Sequence, residues 1–266
     1  LTVALVGLPQ CLAYALMSGL PPAYGLSTAA VAGLVAALLG KSAQVVTGPT
    51  NTTGLLILAA LAPHLGPSGL LEKGGLPVLA TLTLLAGALR VLGVFAGGAH
   101  LLRFLPESVL VGFTAGAGLL IAAMQLDEGL GLTGVRPIGG LVPELRGVFE
   151  SLPDLAVPAV LVTVATVAIV AFGRRLSPRV PAALVAVCGA AGLAMLTGLS
   201  EASGLPLVRD RAGVPSGWPP GAWPSLDPGL LQQLLVPASA IVLLGSLELA
   251  ATARAGGARP DLRREI

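Results

Sequence analysis

Apolar runs of about 20 residues follow one another along this chain, broken only at glycine, proline and small groups of charge. A run of that length matches the hydrocarbon core of a bilayer. Within that core every backbone polar group has to be satisfied inside the segment, so such runs become helices. Eight candidate spans emerge: 1–20, 25–39, 50–61, 76–96, 106–126, 155–172, 180–199 and 228–253. Composition agrees, with 55% hydrophobic and only 11% charged residues in 266, against roughly 25% charged in a soluble domain. Gly 36 and Pro 22 are too many for soluble helices, whereas membrane helices tolerate both. The expected fold class is an all-α polytopic membrane protein.

The charges test this layout independently. With a cytoplasmic amino end, ten basic residues fall inside: Lys41, Arg90, Arg103, Arg174, Arg175, Arg179, Arg254, Arg259, Arg263 and Arg264. Five fall outside: Lys73, Arg136, Arg146, Arg209 and Arg211. Lys/Arg bias sets orientation, so both ends are expected on the cytoplasmic side of the cell inner (plasma) membrane. An even number of spans agrees. The net charge of +2 then reflects topology and gives no reason to invoke nucleic acid. There is no initiator Met and the first residue is apolar, so the chain is expected to begin within or just before its first span with a cytoplasmic lead-in missing, and its first apolar run lacks the basic n-region of a cleavable signal. Two connections are long. Asp127–Asp154 is expected to hold an amphipathic surface helix near Val142–Leu152, and the Pro/Gly-rich segment 200–227 carries both Trp residues, as suits an extracellular loop at the membrane interface.

Enzyme chemistry finds no footing. Cys11 and Cys188 both lie in apolar runs and read as small buried residues. His64 and His100 have no metal-ligand spacing around them, and no nucleophile–base pair, phosphate loop or zinc motif is present. No catalytic residue, metal site or cofactor is expected. Small-residue patterns such as "GAGLLIAAMQ" (Gly116–Gln125) suit helix packing.

Three irregularities break the apolar monotony. The first is "VVTGPTNTTGLLILAAL" (Val45–Leu61), where Gly48 and Pro49 precede the polar cluster Thr50, Asn51, Thr52 and Thr53. Residues Ala43–Val46 read as extended, and the helix that starts after the break has at most about 12 residues, too few to cross a bilayer. Irregular backbone at membrane depth survives only where it is buried or lines a cavity. The first-turn N–H groups of such a half-helix carry the positive dipole end and make an anion site, as in many secondary transporters. The plainer alternative is that Thr and Asn merely cap a buried helix start. The second irregularity is Pro9–Gln10 in the first span, with Tyr14 one turn later on the same face; Gln10 reads either as a site residue or as interhelical glue. The third is Glu248, an acid well inside the eighth span. An ionisable group there is a functional candidate by default, the structural alternative being a salt bridge to Arg254. Laying "LVGLPQCLAYA" over "LLGSLELAATA" pairs Gly7 with Gly245 and Gln10 with Glu248, the faint similarity expected of an inverted repeat.

"LPQCLAYALMSGLPPAYGLSTA" with "GKSAQVVTGPTNTTG" resembles the opening signature of the sulfate permease (SulP) family of anion transporters. "LLRFLPESVLVGFTAGAGLLIAAMQL", "VPSGWPPGAWPSL" and "ARPDLRREI" resemble that family's fifth span, the loop before its eighth span and the segment after it. The resemblance implies fourteen spans in two inverted repeats of seven, with core and gate domains, so the fold is expected incomplete here. Segment 1–99 would hold core spans one to four, 100–199 the gate spans, 200–227 the extracellular loop, 228–253 the eighth span of the core and 254–266 a cytoplasmic segment. Carried over by position, Gln10, Tyr14 and Thr50 fall where the family lines its anion site. Gly48 and Pro49 flank that terminus, and Asn51 stands where most members have a smaller or apolar residue. Glu248 and Thr252 match positions that carry or ligate the coupling ion in cation-coupled members. A homodimer embedded in membrane lipid is expected from the same likeness.

The reading is a bacterial-type secondary transporter of a small anion (sulfate, bicarbonate, chloride or dicarboxylate class). Proton-coupled symport by an elevator-like motion is expected, with sodium as the competing coupling ion. Two alternatives stay open at this point. One is a nucleobase-type permease of the same fold, which would want a pair of mid-membrane carboxylates where only Glu248 is visible. The other is an anion channel or a non-transporting membrane sensor.

Overall fold

The computed structural model describes residues 2–39, 48, 50–97, 107–132, 141–176, 182–197 and 217–255. Among them lie ten α-helices and no named strand. They are α1 (Thr2–Met17), α2 (Pro22–Leu39), α3 (Asn51–Leu61), α4 (Leu76–Phe95) and α5 (Glu107–Met124). The rest are α6 (Leu126–Leu130), α7 (Leu141–Ser151), α8 (Val157–Leu176), α9 (Ala182–Thr197) and α10 (Pro228–Ala255). Every candidate span contains a helix, with ends displaced by a few residues, and the amphipathic surface helix is α7. Among the described residues three stretches are long and apolar enough to cross a bilayer: Pro22–Leu39, Lys73–Phe95 and Pro228–Leu249. Val157–Gly173 and Ala182–Met195 are shorter apolar helices. The segment expected to be extended, Ala43–Val46, lies outside the described residues.

Burial is inverted relative to a soluble protein. Large side chains point outward along α2 (Leu34, Leu38, Leu39) and α4 (Val91, Leu92, Phe95). Many of the buried positions are small: Ala15, Ala159, Ala186, Ala194 and Ala238. Apolar faces of this extent would drive aggregation in water. In lipid they cost nothing, and small residues let helix backbones approach.

Packing divides the chain into two units. One draws on Cys11–Gly116 and Pro215–Ile266, the other on Leu1–Gln10 and Ala117–Val214. In the first, α10 packs along α4 and α3 around Ala15, Leu20, Leu61, Leu71, Val78, Leu82, Leu234 and Ala238. In the second, α9 and α6 pack on α8, with Ala159 and Ala194 at the centre. There the Thr163 hydroxyl donates to the Gly129 carbonyl at 2.9 Å. The exposed helix α7 carries an Arg146–Glu150 ion pair at 2.7 Å, and that hydrogen bond raises the Arg146 pKa.

The turn from α1 to α2 sets the geometry of the first unit. Gly19 has φ +70; its N–H donates to Leu16 O and the Leu20 N–H to Ala15 O, both at 2.9 Å. This is a Schellman closure, which needs a left-handed residue and so favours glycine. Pro21 and Pro22 then redirect the chain, and Gly25 lets α2 meet α1 closely. A Cβ at Gly25 would collide with the Cys11 carbonyl, whereas nothing lies within 4 Å of one at Gly33 in the same helix. Gly25→Val is expected to cost about 3 kcal/mol, the upper end of overpacking because the obstacle is backbone. Thermal unfolding in detergent should fall by roughly 10 °C and leave Gly33→Ala near the parent; an unmoved Gly25→Val would refute the close approach.

The described part of the Pro/Gly-rich loop lies against this unit. The Tyr24 hydroxyl donates to Pro220 O at 2.8 Å. The fully buried Thr81 hydroxyl accepts the Ser225 N–H at 2.8 Å and lies within donating distance of Pro77 O and Ser225 O. Both Trp218 and Trp223 stay exposed.

Candidate functional site

The break before α3 gives the half-helix that its sequence demands. With 11 residues at 1.5 Å each, α3 extends about 16 Å, roughly half the hydrocarbon thickness. Thr50 is its N-cap, in extended conformation (φ −116, ψ 151), and makes no side-chain cap. The first helical bond is Gly54 N–H to Thr50 O at 3.0 Å. The N–H groups of Asn51, Thr52 and Thr53 precede that bond and have no intrahelical acceptor. Capping therefore does not account for the threonine at the helix start.

The Thr50 hydroxyl turns instead to α10. Thr50 Oγ1 donates to Glu248 Oε2 at 2.8 Å across 198 positions of sequence. Thr50 Oγ1 and Thr53 Oγ1 are 2.6 Å apart, with either able to donate, and Thr53 Oγ1 lies 3.2 Å from the Thr50 carbonyl. Each hydroxyl has one proton, so the chain has two consistent polarities. With Glu248 ionised, Thr53 donates to Thr50 and Thr50 to the carboxylate. With Glu248 protonated, the acid donates to Thr50, Thr50 to Thr53, and Thr53 to the Thr50 carbonyl. The protonation state of one acid thus sets which directions the hydrogen-bond chain at the start of the half-helix can take.

Two polar atoms in the same first turn, Asn51 Oδ1 and Thr52 Oγ1, are buried with no partner. Amide oxygen and nitrogen are assigned rather than seen, so a turned Asn51 amide would present a donor at the same place. The α3 start therefore offers backbone N–H groups, the Thr52 hydroxyl and the Asn51 amide as donors. That set suits an oxyanion.

The remaining candidates are less closely gathered. Tyr14 is half-buried in the part of α1 that packs in the same unit, and Gln10, one turn earlier and exposed, belongs to the segment counted with the other unit. Both residues take part in further interactions. Gly48 is exposed, and Pro49 lies outside the described residues. Thr252 continues α10 one turn beyond Glu248, but its side chain and that of Arg254 lie outside the described set. Among the described residues no group of three or more His, Cys, Asp or Glu is placed to hold a metal.

Sequence reasoning passed over Arg90 as a site residue. Nη1 of Arg90 would lie 3.4 Å from a Cβ built on Gly245, and Thr53 Cγ2 3.8 Å from the same point. Arg90 Nε is buried without a partner. A cation within an apolar helix was itself the available signal.

A helical, multi-pass membrane protein with an interrupted span is the class that this fold defines. The sequence matches the description of the Sulfate permease family over residues 1–264, and the chain belongs to that family. It is 33% identical over 260 residues to a probable sulfate transporter of Mycobacterium tuberculosis (strain CDC 1551 / Oshkosh), covering 97% of this chain and 45% of that protein. It is 29% identical to the putative sulfate transporter YvdB of Bacillus subtilis (strain 168), covering 100% and 49%. The bicarbonate transporter BicA of Picosynechococcus is 27% identical, with 93% and 43% covered. The chain thus spans about half the length of the curated relatives it matches. Two solved structures share the fold. SLC26A9 gives a TM-score of 0.79 at 19% identity, covering 98% of this chain and 44% of that one. The transmembrane domain of BicA gives 0.74 at 21%, covering 99% and 66%. The relatives named here all carry the names of transporters.

Proposed function

We propose that the chain forms part of a secondary transporter that carries a small anion together with a proton. The observation that carries this reading is the Thr50–Glu248 hydrogen bond at 2.8 Å. It ties the one described acid in a long apolar helix to the terminus that suits an anion. Relatives named for sulfate and bicarbonate support an oxyanion as the substrate class. The anion is assigned to the α3 N–H groups with Thr50, Asn51 and Thr52, with Tyr14 and Gln10 of α1 as further candidates from their place in the family signature.

Coupling follows from charge. At about 5 Å and an effective dielectric of about 20, an anion and an ionised Glu248 repel by about 3 kcal/mol. The anion therefore favours the protonated acid, and the two bind together and leave together. Sodium is the competing coupling ion, with Glu248 ionised and Thr252 as a further oxygen ligand. An elevator-like movement of a core against a gate is part of the same proposal, and the sequence pairing of Gln10 with Glu248 fits an inverted repeat that opens at α10. A homodimer in the plasma membrane with both ends of this chain cytoplasmic completes the proposal.

The test is uptake of radiolabelled sulfate, bicarbonate, chloride and fumarate by proteoliposomes of the complete protein, with and without an inward proton gradient. At least one should be accumulated, and flux should be stimulated by unlabelled anion on the far side. Flux without such stimulation would mark a channel; no flux of any would overturn the reading. Gln10→Leu should weaken anion binding about 10- to 100-fold, the worth of a hydrogen bond to a charged group. Equal affinity in a binding isotherm would return Gln10 to a packing role.

A further inference from the structure

The proposed anion site holds no assigned fixed cation, yet Arg90 reaches its edge. Charge near this guanidinium can be counted element by element. In α3 and α4 Arg90 is the sole charged residue, and α10 contributes Glu248 and, near its end, Arg254. From α1 the titratable neighbours in the unit are Cys11 and Tyr14. No described carboxylate lies within ion-pairing distance of Arg90, and its Nε is buried and unpartnered. An uncompensated guanidinium at such a place is costly, so it needs a partner in some state of the protein.

Geometry supplies one. The guanidinium lies against the backbone of Gly245, in the space that a side chain there would occupy. Glu248 stands three residues on. Positions i and i+3 share a helix face, about 5–6 Å apart at Cβ, which two long flexible side chains readily bridge. Thr53 touches the Gly245 position on one side and Thr50 on the other. On this face the Thr50 hydroxyl bonds the acid and the Arg90 guanidinium stands beside it, and the acid also takes part in a further interaction.

We propose that Arg90 is the fixed positive charge of this site, receiving the Glu248 carboxylate once proton and anion have left. This rests on the transport reading above. The protonated acid holds to Thr50, and the ionised acid is neutralised by Arg90, so the emptied carrier returns without an unpaired charge in the membrane. Gly245 is the residue that leaves room for the exchange of partners. Arg90 acts here as a positioning residue for Glu248.

A double-mutant cycle in the complete protein tests the pair. Thermal unfolding is measured in detergent at pH 8 with gluconate as the only anion, for Arg90→Gln, Glu248→Gln and the double variant. Each single change strands one half-buried charge among apolar helices, so each Tm should fall by at least about 5 °C, and the double variant should recover most of the loss. In net downhill sulfate uptake, which needs the emptied carrier to return, Arg90→Gln should be slower by an order of magnitude and the double variant should return to the Glu248→Gln rate. Additive losses in Tm, or no effect of Arg90→Gln, would overturn the proposal. Should Arg90→Gln give no folded protein, a folded double variant would still support the pair and an unfolded one would overturn it. Absence of uptake by the parent protein would fault the transport reading with sulfate, while the Tm cycle would still decide the pair.

Discussion

Thr50→Glu is expected to abolish anion binding while the protein stays folded. A carboxylate at the N-cap neutralises the positive dipole end and places a second negative charge about 5 Å from the bound anion. At an effective dielectric of about 20 the repulsion alone is about 3 kcal/mol, which is more than a hundredfold in affinity. Folding should survive, because acids are favoured at helix N-termini and Thr50 is only partly buried. The readout is an anion-binding isotherm on detergent-purified protein beside its unfolding curve. Affinity equal to that of the parent would remove the α3 terminus from the site.

The other large effect concerns Glu248. Glu248→Gln mimics the protonated acid, since its amide is uncharged and can both donate to and accept from Thr50 Oγ1 as a protonated carboxyl can. This variant is expected to bind and exchange anion but to lose accumulation driven by a pH gradient. The loss should be complete, because no other acid lies in the described part of the helices around α3. Full accumulation by Glu248→Gln would leave that residue without a coupling role.

Much of this fold was legible because lipid imposes a simple rule. A span has to be apolar and helical, so α2, α4 and α10 follow from composition, and their ends follow from Gly and Pro. The late start of α3 was legible too, since Gly48-Pro49 and four polar residues cannot begin an ordinary span. What sequence could not show is which partner the Thr50 hydroxyl takes. Capping and a contact with Glu248 use the same threonine, and only the packing of α10 on α3 decides between them. Arg90 was hidden for a related reason. Near the inner end of an apolar helix, it counts with the inside basic residues and not as a site residue. Only the absence of a side chain at Gly245 shows that it reaches inward. The strap of residues 217–227 was read as an interfacial loop, but its fastening by Tyr24 and Thr81 is hydroxyl to backbone and leaves no mark in sequence.

The most direct test of the account is proton entry during anion uptake. Proteoliposomes of the complete protein, loaded with a pH-sensitive dye and free of sodium, are given external sulfate with no initial pH gradient. The account predicts that the lumen acidifies in step with sulfate entry, and that Glu248→Gln abolishes the acidification. Sulfate entry with an unchanged internal pH, or entry that requires sodium and ignores pH, would contradict it.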